Sequence, residues 1–215
     1  MMAHTPLTSL SVTALLDAFA SSAPTPGGGS ASALAGATGA ALLAMVAAMP
    51  KTKTGADAER KTLDLAAASL ERLRKRLAEL IDEDTQAYDL VSAAFKQPKG
   101  TDEEKAARKA AIQAGMRAAT KAPLETMRAC DAVLREAVAV VTHGNPNAAS
   151  DAAVGMELAQ AALRGAEKNV AINLGSLTDE QFKLEAESEA AALLVSGCEQ
   201  AEICRQLAKA AAVAG

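Results

Sequence analysis

The sequence predicts an all-α protein, a single-domain multi-helix bundle with one long amphipathic helix, on three observations. About a quarter of the 215 residues are alanine, the strongest helix former. Runs of β-branched residues are few, and nothing reads as a strand. Proline, glycine and capping residues divide the chain into blocks whose apolar residues recur at helical spacing. Half of the residues are hydrophobic, enough for one sizeable core, and no linker or internal repeat divides residues 1–215.

Each block has its own warrant. Ser11 is placed to cap a first short helix whose Leu15, Leu16 and Phe19 are expected to face inward. The run Pro24-Thr25-Pro26-Gly27-Gly28-Gly29-Ser30 cannot continue that helix. It feeds an uncharged helix over residues 30–49, ended by Pro50, in which Ser32, Gly36, Ala40 and Ala44 recur every fourth residue. Small residues at that interval allow close approach of two helix backbones. Residues 57–95 carry the long amphipathic helix, with Leu70, Leu73, Leu77, Leu80, Tyr88, Val91 and Phe95 as its apolar stripe. Pro98 and Gly100 break it, and Thr101 to Glu104 has capping-box spacing. Pro123 starts or kinks another helix, which ends near His143 before the turn Gly144-Asn145-Pro146-Asn147. Ser150 or Asp151 is placed to cap a helix reaching about Leu174. Thr178 to Gln181 reads as a second capping box opening the last helix.

Composition excludes several classes of function. A net charge of −4, with no Trp, one Tyr and three Phe, offers neither a basic surface nor an aromatic platform for nucleic acid. Three cysteines without close spacing and two histidines argue against a disulfide scaffold and against a metal site. No Lys or Arg precedes Lys51, so the start lacks the basic region of an export signal, and a cytoplasmic protein is expected. Residues 27–49 are uncharged and long enough to span a bilayer. They are mostly Ala, Gly and Ser, which gain little from lipid, so a buried core helix and no membrane partner are expected.

Three features could carry chemistry. Asp84 interrupts the long stripe, four residues after Leu80 and four before Tyr88, so its carboxylate belongs on the inward face, while Asp82 and Glu83 point elsewhere. A carboxyl in an apolar interior has a raised pKa, which prepares a general acid; a buried ion pair or helix-to-helix hydrogen bond is the alternative. Gly27, Gly28 and Gly29 before a helix free backbone N–H groups to meet an anion, or simply form a turn. Asn169 and Asn173 lie one turn apart, and their amides suit either a polar heterocycle or a tie between helices. His143 is expected in solvent at a helix C-terminus, and neither it nor His4 receives a catalytic role.

Together these stretches resemble a known family. Residues 21–30, Ser-Ser-Ala-Pro-Thr-Pro-Gly-Gly-Gly-Ser, look like the opening signature of the cyclodeaminase domain of formiminotransferase-cyclodeaminases. That family also contains bacterial methenyltetrahydrofolate cyclohydrolases. The likeness continues through Leu80-Ile81-Asp82-Glu83-Asp84, Ala87-Tyr88, Thr101 to Lys105, Pro123-Leu124 and Gly144 to Asn147. It then runs through Ser150-Asp151 to Asn169-Val170-Ala171-Ile172-Asn173-Leu174, in order along nearly the whole chain. It departs from the family pattern at Pro50-Lys51-Thr52-Lys53-Thr54-Gly55-Ala56, where basic character is kept but the family's threonine and aromatic are not.

The resemblance implies a homodimeric enzyme acting on a tetrahydrofolate derivative, with no metal and no cofactor beyond that substrate. The expected reaction is closure of 5-formimidoyl-tetrahydrofolate to the 5,10-methenyl compound with release of ammonia. Hydrolysis of the methenyl bridge is the alternative within the family, and a non-catalytic folate-binding or scaffolding protein the alternative outside it. The residue matching the family's proposed proton donor is Asp84, and Asp82 beside it completes the candidate catalytic pair. Gly27, Gly28, Gly29, Ser30, Lys53, Asp151, Asn169 and Asn173 are the candidate substrate contacts, with Lys51 and Lys53 as a rim for the folate carboxylates.

Overall fold

The Ser11 hydroxyl accepts a hydrogen bond from the Ala14 N–H and opens α1 (Val12–Ala20), as expected. The computed structural model describes residues 5–214, with side chains to residue 210. After α1 follow α2 (Gly28–Ala48), α3 (Asp57–Phe95), α4 (Asp102–His143), α5 (Ala149–Leu174) and α6 (Glu180–Ala214). Short 3-10 turns occur at Leu7–Ser9 and Pro146–Ala148, and there is no strand among the described residues. The protein is therefore all-α, with α3 and α4 as paired long helices.

The five long helices alternate in direction, so α6 runs alongside α4 in the same sense. Gly28 faces Asn169 while Gly39 faces Gly155, so α2 and α5 are antiparallel. The α4–α6 contacts Arg117–Asp179 and Arg128–Glu189 advance together along both helices. The small residues of α2 permit this packing. A Cβ on Gly36 would meet Cys130 Sγ at 2.9 Å and Leu77 at 3.1 Å, and one on Gly39 would meet the Gly155 carbonyl at 2.5 Å. Ser32, Gly36 and Ala40 are buried as the spacing predicts. By length and composition α2 could cross a membrane, but its Ala33, Ala40, Leu43, Val46 and Ala47 lie in the core.

Thr101 and Glu104 form both halves of the capping box at the start of α4. Four other sequence expectations need correction. Pro123 does not begin a helix but sits inside the 42-residue α4. Proline has no N–H for the carbonyl four residues back, and the Asn173 amide of α5 supplies the missing donor, 2.7 Å from the Ala119 oxygen. Neither Ser150 nor Asp151 caps α5, whose first turn continues the Pro146–Ala148 turn and contains both residues. The α6 cap is Asp179, which accepts from the Phe182 N–H, while Thr178 bonds to Gln113 of α4. Finally, Leu16 is 60% exposed although Leu15 packs on the core.

Two stripe residues also differ. Leu70, Leu77 and Leu80 are fully buried, but Tyr88 is 40% and Phe95 54% exposed. The reason is register. Helix α2 begins where α3 reaches Asp84 and does not cover α3 beyond that level, where α4 still buries Val91 against Gly115. Some 11 further residues of α3, roughly 16 Å at 1.5 Å per residue, project past the α2 N-terminus with the first turns of α4.

Candidate functional site

At the α2 N-terminus Gly27 is extended and carries no side-chain cap, so the cap must come from elsewhere in the fold. Asp84 supplies it. Its Oδ2 accepts the Ser30 N–H at 2.8 Å and lies 2.9 Å from Ser30 Oγ. Ser30 Oγ is also 3.0 Å from the Ile81 carbonyl and 3.3 Å from Thr85 Oγ1. A hydroxyl has one hydrogen. When that hydrogen goes to Ile81, Asp84 can donate to Ser30 Oγ as a neutral acid; when Asp84 is ionised, Ser30 donates to it.

The glycines follow from this placement. A Cβ on Gly29 would fall 2.5 Å from Asp84 Cγ and 2.7 Å from Oδ2, with Oδ1 nearer still, so the carboxyl occupies the volume of a Gly29 side chain. Gly28 is less constrained, with the Asn169 amide 3.3 Å from such an atom, and Gly27 has only the Pro24 carbonyl at 3.8 Å. The Thr25–Pro26 peptide bond entering the turn is cis. Asp84 is half-buried, and burial pushes its pKa up against the opposing hydrogen bonds from the Ser30 hydroxyl and N–H. It has no cationic partner among the described residues, so the ion-pair alternative does not apply.

The other candidates separate into those near this carboxyl and those remote from it. Asn169 lies beside Gly28, its Nδ2 donating to the Gly165 carbonyl of its own helix. Asn173 is one turn further, with its amide donated to Ala119 of α4, which makes it a tie between helices. Asp82 faces away from Ser30: Oδ1 accepts the Leu7 N–H at 2.5 Å and Oδ2 the Thr8 hydroxyl at 2.8 Å, fixing the N-terminal segment to α3. Lys53 and Asp151 are at the opposite end of the bundle, about 30 Å away along the 21 residues of α2. There Lys53 donates its N–H to the His143 carbonyl and borders a cavity of about 390 Å³ lined by Val46, Val140, Met156 and Cys204. Neither residue reaches Asp84 along this chain.

The atypical loop after α2 is held by a buried acid that the sequence did not single out. Glu59 Oε2 accepts from the Thr52 hydroxyl at 2.7 Å and the Thr54 N–H at 2.9 Å, and Thr52 in turn accepts from Gly55, whose φ is +84°. These hydrogen bonds, led by that from Thr54, lower the Glu59 pKa to about 2. His143 is half-buried against the same acid, 3.7 Å from Oε1, rather than in open solvent. Thr85, also missed, is buried beside Ser30. Its signal was present: it is the next residue after Asp84 and faces the same small-residue helix.

Asp84, Ser30 and the glycine turn lie at the level where α3 and α4 project past the α2 N-terminus, with the partly exposed Tyr88 one turn beyond Asp84 and Asn169 of α5 beside Gly28. A carboxyl with raised pKa, one free oxygen and a rotatable hydroxyl behind it can donate or accept a proton at a ligand bound there. Among the described residues no cluster of His, Cys, Asp or Glu could hold a metal ion.

The sequence and the fold recur in known proteins. The pattern of the formiminotransferase-cyclodeaminase family matches residues 11–192, most of the chain. The chain belongs to that family. It is 44% identical over 179 residues to the methenyltetrahydrofolate cyclohydrolase of Methylorubrum extorquens, covering 83% of this chain and 86% of that one. It is 34% identical over 169 residues to the formimidoyltransferase-cyclodeaminase of Gallus gallus, matching 79% of this chain but 31% of that longer protein. The formiminotetrahydrofolate cyclodeaminase of Thermotoga maritima superposes with a TM-score of 0.84 at 25% identity, over 95% of this chain and 98% of that one. This family of folate one-carbon enzymes thus includes relatives as short as the present chain as well as the longer animal proteins.

Proposed function

We propose that the protein acts at the 5,10-methenyl bridge of tetrahydrofolate, hydrolysing it to the 10-formyl compound. The observation that carries the reading is Asp84 on the α2 N-terminus, half-buried and without a cation among the described residues, in a chain similar over 83% of its length to a cyclohydrolase. The methenyl carbon belongs to a cationic amidinium and is already electrophilic. Ionised Asp84 would orient a water against it and take a proton as the C–O bond forms. The carboxylic acid so produced would return the proton to N5 as the C–N5 bond breaks, and the remaining hydroxyl proton would leave to solvent as the formyl C=O forms. Ser30 would hold the carboxyl in both states. The substrate supplies its own electrophile, so the step needs no cofactor and no metal.

Ring closure of the 5-formimidoyl compound is the second reading, favoured by the likeness to the Thermotoga maritima cyclodeaminase. There N10 would attack the formimidoyl carbon, its proton passing to the former imine nitrogen, and Asp84 would give that nitrogen the second proton with which it departs as ammonia, because an amide anion cannot leave at neutral pH. A single assay pair separates the two. Loss of the near-ultraviolet absorbance of 5,10-methenyl-tetrahydrofolate reports hydrolysis; its appearance with ammonia from the formimidoyl compound reports deamination. Failure of the protein to accelerate either would overturn the enzymatic reading.

We also propose a cytoplasmic homodimer without membrane or nucleic-acid partners. Support comes from α2, an uncharged helix whose Ala31, Thr38 and Met45 face outward with half-buried Leu34 and Leu42 between them. The exposed Val12 and Leu16 of α1 add apolar surface. A two-fold contact would bury such a stripe against its own copy. Sedimentation equilibrium showing a monomer at micromolar concentration would refute it.

A further inference from the structure

The cations first expected to meet the folate carboxylates, Lys51 and Lys53, lie at the wrong end of α2, which leaves the anionic part of the proposed substrate without a partner. A different set of cations stands at the Asp84 end of the bundle. Where α3 and α4 project past the α2 N-terminus, Lys99, Lys105, Arg108, Lys109 and Ile112 line a shallow concavity of about 310 Å³. Lys105, Lys109, Ile112 and Met116 follow one another at steps of four, three and four, so they share one face of α4. Met116 is buried in the core at the lower end of that face, and Ile112 packs against it, so the lysines continue an inward-facing line into the open.

The charges there are mostly uncommitted. Lys105 pairs with exposed Asp102 at 2.8 Å. Glu104 is occupied by the Gly100 and Thr101 N–H groups. Arg108 donates to the Phe95 carbonyl and lies 5.4 Å from the Phe95 ring centroid, which fixes its guanidinium at the rim without neutralising it. Lys99 and Lys109 form no ion pair among the described residues. Phe95 is exposed because it belongs to the projecting part of α3, and it gives this rim an aromatic flank.

We infer that this concavity seats the γ-glutamyl tail of the folate substrate. The inference rests on the folate reading above and names the subsite for its anionic end. A tetrahydrofolate with its reacting carbon at Asp84 carries its benzoyl-glutamate arm away from the carboxyl. An arm directed along the projecting helices crosses Tyr88 and Ile112, and the roughly 16 Å from Asp84 to Phe95 sets how far along it the lysines stand. Each added γ-linked glutamate contributes one more carboxylate at that distance.

The test compares mono- and pentaglutamyl 5,10-methenyl-tetrahydrofolate, and the corresponding formimidoyl compounds, with three proteins: wild type, Lys99→Glu/Lys109→Glu and Lys51→Glu/Lys53→Glu. An exposed ion pair is worth a factor of about 1.5 to 5 in binding, so the wild-type KM should be roughly 3- to 20-fold lower for the pentaglutamate. That advantage should shrink with added salt. The Lys99/Lys109 variant should lose it, and the Lys51/Lys53 variant should keep it. Equal wild-type KM values for the two tail lengths would overturn this inference and leave the folate reading standing. So would retention of the advantage by the Lys99/Lys109 variant, or its loss only in the Lys51/Lys53 variant. Absence of turnover of every substrate by the wild type would overturn both.

Discussion

Replacing Gly29 with alanine would put a methyl carbon 2.5 Å from Asp84 Cγ and 2.7 Å from Oδ2. Nonbonded carbon and oxygen atoms approach to about 3.5 Å, so the carboxyl would have to retreat by about 1 Å. It cannot do so and keep both Ser30 hydrogen bonds. Misplacing a reacting group by that distance costs on the order of 10²-fold in rate, and we expect kcat/KM for the methenyl or formimidoyl substrate to fall accordingly. Gly28→Ala, whose Cβ meets the Asn169 amide at 3.3 Å, should lose much less. Gly27→Ala, with its nearest neighbour at 3.8 Å, should be close to wild type. Thermal unfolding separates this from a folding defect, because alanine is the better helix former by up to about 1 kcal/mol and partly offsets the crowding. Full activity in Gly29→Ala, or equal losses in all three variants, would refute the assignment of Gly29 as the seat of the carboxyl.

Asp84→Asn removes the transferable proton and should lower turnover by about 10²–10⁴-fold. Because the Asp84 pKa is raised in the folded state, its ionisation opposes folding above the ordinary carboxylate range; urea unfolding at neutral pH should show the asparagine variant no less stable, with any gain vanishing in acid. Asp82→Asn should leave turnover within about tenfold and cost roughly 1 kcal/mol through the Leu7–Thr8 attachment. Asn173→Ala should cost about 1–3 kcal/mol by orphaning the Ala119 carbonyl. The same change in a Pro123→Ala background should cost much less, and a double-mutant cycle without coupling would refute the pairing. Glu59, held near a pKa of about 2, contributes stability above the ordinary glutamate range that is lost as pH falls toward that value. Thr52→Val should raise the Glu59 pKa, measured by NMR titration of its side chain.

The helix boundaries and the position of Asp84 were legible because both follow from local rules. Ser11 and Thr101 cap by hydroxyls three residues from their partners, and a 3.6-residue period puts Asp84 in line with Leu77 and Leu80. What was not legible depends on residues far apart in the chain. Pro123 reads as a break until Asn173, 50 positions later, supplies the donor it lacks. Asp82 and Asp84 look equivalent until Leu7 and Thr8 claim the first and Ser30 the second. Asp151 resembles a site residue because sequence order does not reveal that α5 runs antiparallel to α2 and so starts near the end of α2 that carries Lys53, about 30 Å from Asp84. Tyr88 and Phe95 fit the apolar stripe, yet their exposure is decided by where a different helix begins.

The Ser30 hydroxyl has a consequence for the timing of any proton transfer at this carboxyl. Both charge states of Asp84 fit one set of heavy-atom positions: a proton on the free Oδ1 leaves the Ser30 hydrogen bonds as they are, and one on Oδ2 needs only a turn of the Ser30 O–H bond toward Ile81. Such rotations belong to the picosecond-to-nanosecond range of side-chain motion. A site of this kind has almost no reorganisation to perform between accepting a proton and returning it. The protein therefore resembles a charged capacitor with fixed plates: what moves is hydrogen, while the scaffold around Ile81, Thr85 and Gly29 stays where folding put it.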